Sequence, residues 1–191
     1  TLNSTLGYIS LKTALTSDQV LAVAYEYTWN GGSYQVGEFS QDNTDSSQAL
    51  FVKLLKSNSN SPGSGTWDLM MKNVYAITQG TLTDREFKLS VCYASDSAGS
   101  RLTYLPESSL KGTPLLKLLG LDRLDDNQNA HSNGQFDYVE SYTVQSQAGR
   151  IIFPVIEPFG SHLEQAIGDR SVAARYAFNE LYDSTRTVAR R

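Results

Sequence analysis

The fold is decided by residues 149–160, which read Gly149-Arg150-Ile151-Ile152-Phe153-Pro154-Val155-Ile156-Glu157-Pro158-Phe159-Gly160. A short, continuous apolar run of this kind is typical of a strand that is buried on both faces. Because Pro154 has no N–H to donate to a ladder, we expect this strand to lie at a sheet edge or to carry a bulge. The stretch therefore predicts a β-rich core, and it carries no visible catalytic group.

Alternation of apolar and polar residues predicts further strands on either side of this stretch. Tyr25 and Tyr27 alternate with smaller and polar residues, and residues 29–33 then offer an Asn-Gly-Gly turn that favours a tight hairpin. The most regular period-two pattern covers residues 86–93, and a similar one covers residues 136–144. Together these patterns predict about eight strands, as in a β-sandwich.

Helical signals are few and concentrate near the C-terminus. Residues 113–119 predict a short internal helix, with Pro114 in its first turn and Gly120 past its end. A capping box opens another helix at Ser161, and Gly168 ends it. From Ser171 to Arg190 an apolar stripe recurs at helical spacing and predicts an amphipathic helix; its members are Ala174, Phe178, Leu181, Thr185 and Val188.

The predicted fold is therefore mainly β. We expect a jelly-roll-like β-sandwich over residues 1–160, and a helical segment over residues 161–191 that packs on this body or on another part of a parent protein. The loops at 41–48, 57–66 and 122–134 are polar, and they are the expected contact surfaces of such a scaffold.

Composition excludes several function classes. The formal net charge of −4 leaves no basic footprint for nucleic acid. No apolar run approaches the roughly 20 residues that a membrane-spanning helix needs. The single Cys92 excludes an internal disulfide framework. Because the chain starts at Thr1 without a methionine, we expect it to be a fragment of a longer protein.

The best candidate for a metal site lies between Asp122 and Asp137. Oxygen ligands at Asp125, Asn127 and Asn129 match the first alternating positions of a calcium loop. Ala130 then occupies the position of the sharp-turn glycine, and no glutamate closes the loop. We therefore favour a polar turn in which Asp and Asn side chains bond their own backbone, with calcium as the alternative.

No set of residues predicts catalysis. His131 lies in a polar loop and His162 in the first turn of a helix, and no nucleophile motif accompanies either of them. Eleven tyrosines and two tryptophans would suit a sugar-binding face, although aromatic residues are also favoured in strands for packing alone. We expect no enzyme and no cofactor, and we keep a carbohydrate-binding module as the alternative function.

Several blocks in order along the chain resemble the SprA/Sov family. They are residues 6–11, 20–25, 34–39, 67–75, 121–124, 134–137, 149–160 and 178–185. This family comprises giant outer-membrane proteins that form the translocon of the type 9 secretion system and serve gliding motility in Bacteroidetes. The family pattern has an Asp-Gly turn where this chain has Asn133-Gly134, which weakens an acidic metal site further.

The resemblance implies a non-enzymatic structural or interaction domain of an outer-membrane translocon, located at the outer membrane but not itself membrane-spanning. Its implied partners are the rest of the parent β-barrel, other secretion components and secreted cargo proteins. Phe178 and Leu181 on the C-terminal helix are the expected docking residues toward the parent.

Overall fold

The structure is a computed structural model, which describes residues 1–41, 47, 49–94, 99–106 and 109–185. The chain divides into two units. The larger unit comprises Thr1–Ser10 and Met71–Arg191, and the smaller unit comprises Leu11–Met70. Most of the predicted loop at 41–48 and the end of the predicted C-terminal helix, including Val188, lie outside the described residues.

Short strands dominate the described chain. They are β1 (Leu2–Asn3), β2 (Tyr8–Ile9), β3 (Leu21–Val23), β4 (Tyr25–Trp29), β5 (Gly32–Val36), β6 (Lys53–Lys56), β7 (Val74–Ala76), β8 (Tyr93–Ala94), β9 (Arg101–Leu102), β10 (Val144–Gln145) and β11 (Arg150–Ile152). The helices are α1 (Leu115–Leu118), α2 (Ser161–Ile167), α3 (Arg170–Ala173) and α4 (Glu180–Asp183), with single 3-10 turns at Trp67–Leu69 and Ser146–Ala148.

The fold is mainly β and built from small antiparallel sheets. The described strands form one three-stranded sheet, in the order β10-β11-β7, and four two-stranded sheets. A single jelly-roll sandwich is not confirmed by this arrangement and stays a prediction. No described helix is long and apolar enough to cross a membrane.

The stretch at 149–160 does supply the central strand of the larger unit's core. Ile151 and Ile152 are buried, and β11 pairs on both sides, with β10 and with β7. The prediction that Pro154 forces an edge or a bulge is wrong, because the strand ends at Ile152 and the proline never has to join a ladder. Phe153 continues the buried run beyond the strand.

Helices pack onto this sheet through leucine and isoleucine side chains. Helix α1 follows Pro114 and stops before Gly120, and α2 (Ser161–Ile167) ends at Gly168 as its C-cap, so both predicted helices are confirmed. The capping box is wrong: Gly160 occupies the N-cap position, and the Ser161 hydroxyl donates to the Glu157 carboxylate at 2.6 Å. The core cluster of these helices and strands includes Leu115, Leu116, Leu119, Leu121, Val144, Ile151, Phe153, Leu163, Ile167, Ala173 and Tyr176.

The predicted amphipathic helix from Ser171 is wrong within the described residues. The chain forms two short helices, α3 and α4, separated by turns. Asp169 caps α3 by accepting the N–H groups of Ser171 and Val172 at 2.8 and 3.2 Å. Because the helix does not continue, the predicted stripe does not become the buried face, and Ala173, Tyr176 and Tyr182 are buried instead.

The two strands predicted at 86–93 and 136–144 are also mostly wrong. Only Tyr93 and Val144, at their ends, enter strands. Phe87, Leu89 and Val91 are nevertheless partly buried against the core, while the residues between them are exposed. The side chains of this segment thus alternate between buried and exposed although these residues belong to no described strand. Periodicity predicts which side chains face the core, and it does not predict which backbone groups form a ladder.

The smaller unit consists of two ribbons. Strand β3 pairs with β6, and β4 pairs with β5 in a regular hairpin that joins Trp29 to Gly32. Asn30 and Gly31 form the turn, with φ angles of 49° and 79°, as a two-residue turn with both central residues left-handed requires. The hairpin predicted from residues 29–33 is confirmed.

Candidate functional site

The acidic loop at 122–137 is held by two carboxylates at its ends. Asp122 is 1% exposed, and its oxygens accept hydrogen bonds from the Ser132 hydroxyl at 3.0 Å and the N–H groups of Asn133 and Gly134 at 3.0 and 3.1 Å. Gly134 has a φ of 85°, so the Asn133-Gly134 turn has the predicted left-handed glycine. Asp122, at the start of the loop, thus holds the later part of the loop in place.

Asp137, at the end of the loop, holds the first part of the loop in the same way. Its carboxylate accepts the N–H groups of Arg123 at 2.6 Å and Leu124 at 3.2 Å, and the Thr143 hydroxyl donates to the Asp137 carbonyl. Burial raises the pKa of the Asp137 carboxyl above its usual range, and the negative charge of Asp122 acts in the same direction. The two aspartates therefore brace the loop from both ends.

The calcium candidates Asp125, Asn127 and Asn129 lie in this loop, and their geometry is that of a turn. One Asp125 oxygen accepts the N–H groups of Asn127 and Asn129 at 2.8 and 2.9 Å. Hydrogen bonds from Asn129 hold the pKa of the Asp125 carboxyl below its usual range. Among the described residues no group of three or more His, Cys, Asp or Glu side chains is arranged to hold a metal. Calcium binding stays an untested hypothesis.

An open depression of about 230 Å³ lies beside this loop. Its lining includes the carboxyl groups of Asp84, Asp125, Asp126 and Asp137 and the aromatic rings of Phe136 and Tyr138. The carboxyl groups of Asp125, Asp126 and Asp137 accept hydrogen bonds from their own loop, as in the bond from the Asn133 amide to Asp126 at 2.8 Å. The depression is therefore a consequence of how the loop is braced.

The two histidines considered for catalysis have structural partners, and so has Glu157, which precedes α2. A ring nitrogen of His162 lies 2.9 Å from the Leu118 carbonyl, and so links α2 to the end of α1. Glu157 has a φ of 46° and accepts from the Ser161 hydroxyl, and its side chain is thereby tied to the start of α2. His131 lies on the acidic loop, where its N–H donates to the Asn129 carbonyl at 2.7 Å.

The smaller unit carries a different kind of surface, which we call the aromatic face: Tyr25, Tyr27, Trp29 and Tyr34 on one side of the β4–β5 hairpin. Each side chain is 46 to 71% exposed, and Trp29 is the most exposed of them. The rings of Tyr27 and Tyr34 stack across the hairpin with centroids 5.4 Å apart and planes 23° apart. The other side is polar, and there the Ser33 hydroxyl donates to the Glu26 carboxylate.

Apolar exposure extends beyond the hairpin. Among the described residues of the smaller unit only Trp67 is buried, and Phe51 is 74% exposed. Its other exposed large apolar side chains outside the aromatic face are Leu11, Val20, Leu50, Val52, Leu54, Leu69 and Met70. An apolar surface of this extent on a folded unit is typical of an interaction site.

Phe178 and Leu181, the docking residues expected from the sequence, belong to the larger unit and are 53% and 40% exposed. They are separated from the aromatic face in sequence, and their role stays a prediction. The exposure of the aromatic face was not predicted from the sequence, where packing and a sugar-binding face both explain the tyrosines. The alternation of Tyr25, Tyr27 and Trp29 is the only signal there, and it fits a packed face as well as an exposed one.

Comparison with known proteins adds no relative: no family model matches the chain, and no curated protein matches it either.

Proposed function

We propose that this chain is a non-enzymatic structural and interaction module, and that the smaller unit carries its docking surface. The observation that carries the proposal is the aromatic face together with the exposed apolar side chains of the same unit. Among the described residues of this unit, Trp67 is the one that is buried. Exposed tyrosine and tryptophan side chains offer large, rigid contact area with a polar tip, which suits protein interfaces. The larger unit has an apolar core of its own.

The proposed parent protein of this module rests on the resemblance of the eight sequence blocks to the SprA/Sov family. We propose that it is a domain of an outer-membrane translocon of the type 9 secretion system, where it contacts the rest of the barrel, other secretion components or cargo. A jelly-roll-like sandwich of about eight strands over residues 1–160 belongs to the same proposal.

The test combines Trp29→Ser with Phe51→Ser in the full-length parent protein. Both side chains are exposed, so the fold should be retained while the apolar surface is reduced. We expect less secreted protein in the culture medium and slower gliding, at an unchanged level of the parent in the outer membrane. Thr28→Ser, on the polar side of the same hairpin, is the matched control. Secretion and gliding equal to the control would contradict the proposal.

A carbohydrate-binding module is the second candidate, favoured by the exposure of Trp29 and the row of three tyrosines beside it. The aromatic face carries no charged side chain, as a surface for neutral sugars requires. This candidate predicts glycan-array signals that Trp29→Ala removes. An array without signals at high protein concentration removes this candidate and leaves the interaction module standing.

A further inference from the structure

We propose that the smaller unit accepts an added β-strand from another polypeptide, along the open edge of residues 21–29. This inference rests on the proposed interaction function and specifies the partner as an extended segment that pairs through its backbone. Such pairing takes its affinity from main-chain hydrogen bonds and its specificity from alternate side chains.

Residues 21–29 form a nearly continuous strand, interrupted only at Ala24 between β3 and β4. Strand β6 pairs with the first part and β5 with the second part. The Glu38 N–H donates to the Phe51 carbonyl at 2.7 Å, which joins the end of β5 to the start of β6. Both partner strands therefore lie on the same side of residues 21–29.

The opposite edge has no backbone partner among the smaller unit's described residues. The register of the hairpin determines which backbone N–H and C=O groups of β4 point toward this edge. The two-residue turn makes Trp29 and Gly32 a hydrogen-bonded pair, so Tyr27 with Tyr34 and Tyr25 with Val36 are hydrogen-bonded pairs too. Glu26 and Thr28 belong to the alternate pairs, and their N–H and C=O groups point away from β5.

Exposed edges are commonly protected by charged side chains, above all lysine, by proline or by a bulge. The β3 part of this edge has a register shift against β6 between Leu21 and Ala22, whereas the β4 part has none and carries Glu26 as its one charged residue. Strand β4 reads Tyr-Glu-Tyr-Thr-Trp and keeps an unbroken register with β5 over all five of its residues. An added strand would also enlarge a two-stranded ribbon, which is only marginally stable in water by itself.

The aromatic face supports the same occupant. Tyr25, Tyr27 and Trp29 project from one side of β4, so a strand beside it would place every second side chain next to one of these rings. Aromatic and β-branched side chains form the most favourable cross-strand pairs. The partner is therefore an extended segment with β-branched or aromatic residues at alternate positions.

The experiment uses the whole chain and a labelled synthetic peptide of alternating valine and threonine, long enough to span β4. We expect saturable binding by fluorescence anisotropy. Thr28→Pro removes an outward N–H and leaves the β4–β5 bonds in place, and it should weaken binding about tenfold or more. Thr28→Ala keeps the N–H and should bind within about twofold of the unchanged chain, since a single exposed side chain contributes little.

Hydrogen exchange on the unchanged chain provides a measurement that does not depend on the folding of a variant. Peptide addition should slow exchange at the Glu26 and Thr28 amides and leave the Tyr27 amide, already bonded to β5, unchanged. Absence of binding, equal binding by Thr28→Pro and Thr28→Ala, or protection elsewhere would overturn strand addition. If the variant with Trp29→Ser and Phe51→Ser still loses secretion in that case, the interaction function stands and only its strand-addition form falls.

Discussion

The two units of this protein both contain short antiparallel strands, but they differ in burial. In the larger unit Leu121, Val144 and Ile152 are fully buried; the last two lie in β10 and β11, and Leu121 follows α1. In the smaller unit only Trp67 is buried among the described residues, although its hairpin has the more regular ladder. A regular strand ladder therefore does not by itself produce an apolar core. We expect the larger unit to be the more stable one, because apolar burial is the dominant favourable term in folding.

The largest expected difference between the units is in local opening. The Ile152 N–H donates to the Thr143 carbonyl at 2.8 Å in the buried sheet, while the Tyr27 amide lies in an exposed ribbon. We expect the Ile152 amide to exchange with solvent at least roughly a hundredfold more slowly, since exchange of core amides needs more extensive unfolding. Hydrogen-exchange mass spectrometry or NMR measures both rates. Equal rates would show that the smaller unit has a core of its own.

A pair of truncations compares the two units energetically. Leu121→Ala removes a side chain with 0% exposure and should lower the free energy of unfolding by about 3 kcal/mol. Leu54→Ala, at a side chain with 44% exposure, should lower it by about 0.5 kcal/mol or less. Urea denaturation of both variants checks the difference. A large loss for Leu54→Ala would place that residue in a hidden core and break the comparison.

Two glycines with positive φ, one in each unit, allow a third comparison of the units. A Cβ on Gly149, at φ 62°, would lie 2.6 Å from the Gly80 carbonyl oxygen, whereas a Cβ on Gly31, at φ 79°, meets nothing within 4 Å. Gly31→Ala therefore costs only backbone strain, about 1 kcal/mol. Gly149→Ala adds a collision with backbone and should cost about 2 to 3 kcal/mol. Thermal unfolding of the two variants compares them, and equal shifts would contradict the close approach at Gly149.

The smallest expected effect concerns pH and the acidic loop. Because burial raises the pKa of Asp137, the folded state binds its proton more tightly than the unfolded state does. The contribution of Asp137 to stability is thus largest below its unfolded pKa and is lost as pH rises through the raised folded pKa. Asp137→Asn cannot titrate, so the unchanged chain should gain stability relative to this variant as pH falls from neutral into the acid range. Denaturant titrations at several pH values measure the difference. A constant difference would show that the Asp137 pKa is not raised.

Much of the local structure was predictable from the sequence. The hairpin at residues 29–33, the helices at 113–119 and from Ser161, and the Asn133-Gly134 turn follow from glycine, proline and apolar spacing within a few residues. The two predicted strands at 86–93 and 136–144 failed because alternation determines side-chain facing only. The single C-terminal helix failed because packing of Ala173, Tyr176 and Tyr182 overrode the continuous helical pattern.

The candidate site was less predictable. The sequence placed aspartates at both ends of the acidic loop, but only the structure shows Asp122 and Asp137 turned onto backbone N–H groups. The tyrosines of the hairpin were visible too, and their exposure was not, since the same alternation fits a packed face and an uncovered one.

The sequence by itself determined a mainly β chain with a buried apolar run, an Asn-Gly hairpin and glycine-terminated helices, because these depend on local backbone preferences and spacing. Tertiary structure decided that one unit encloses its apolar side chains and the other leaves them uncovered. Burial depends on which distant segments meet, and no local pattern contains that information.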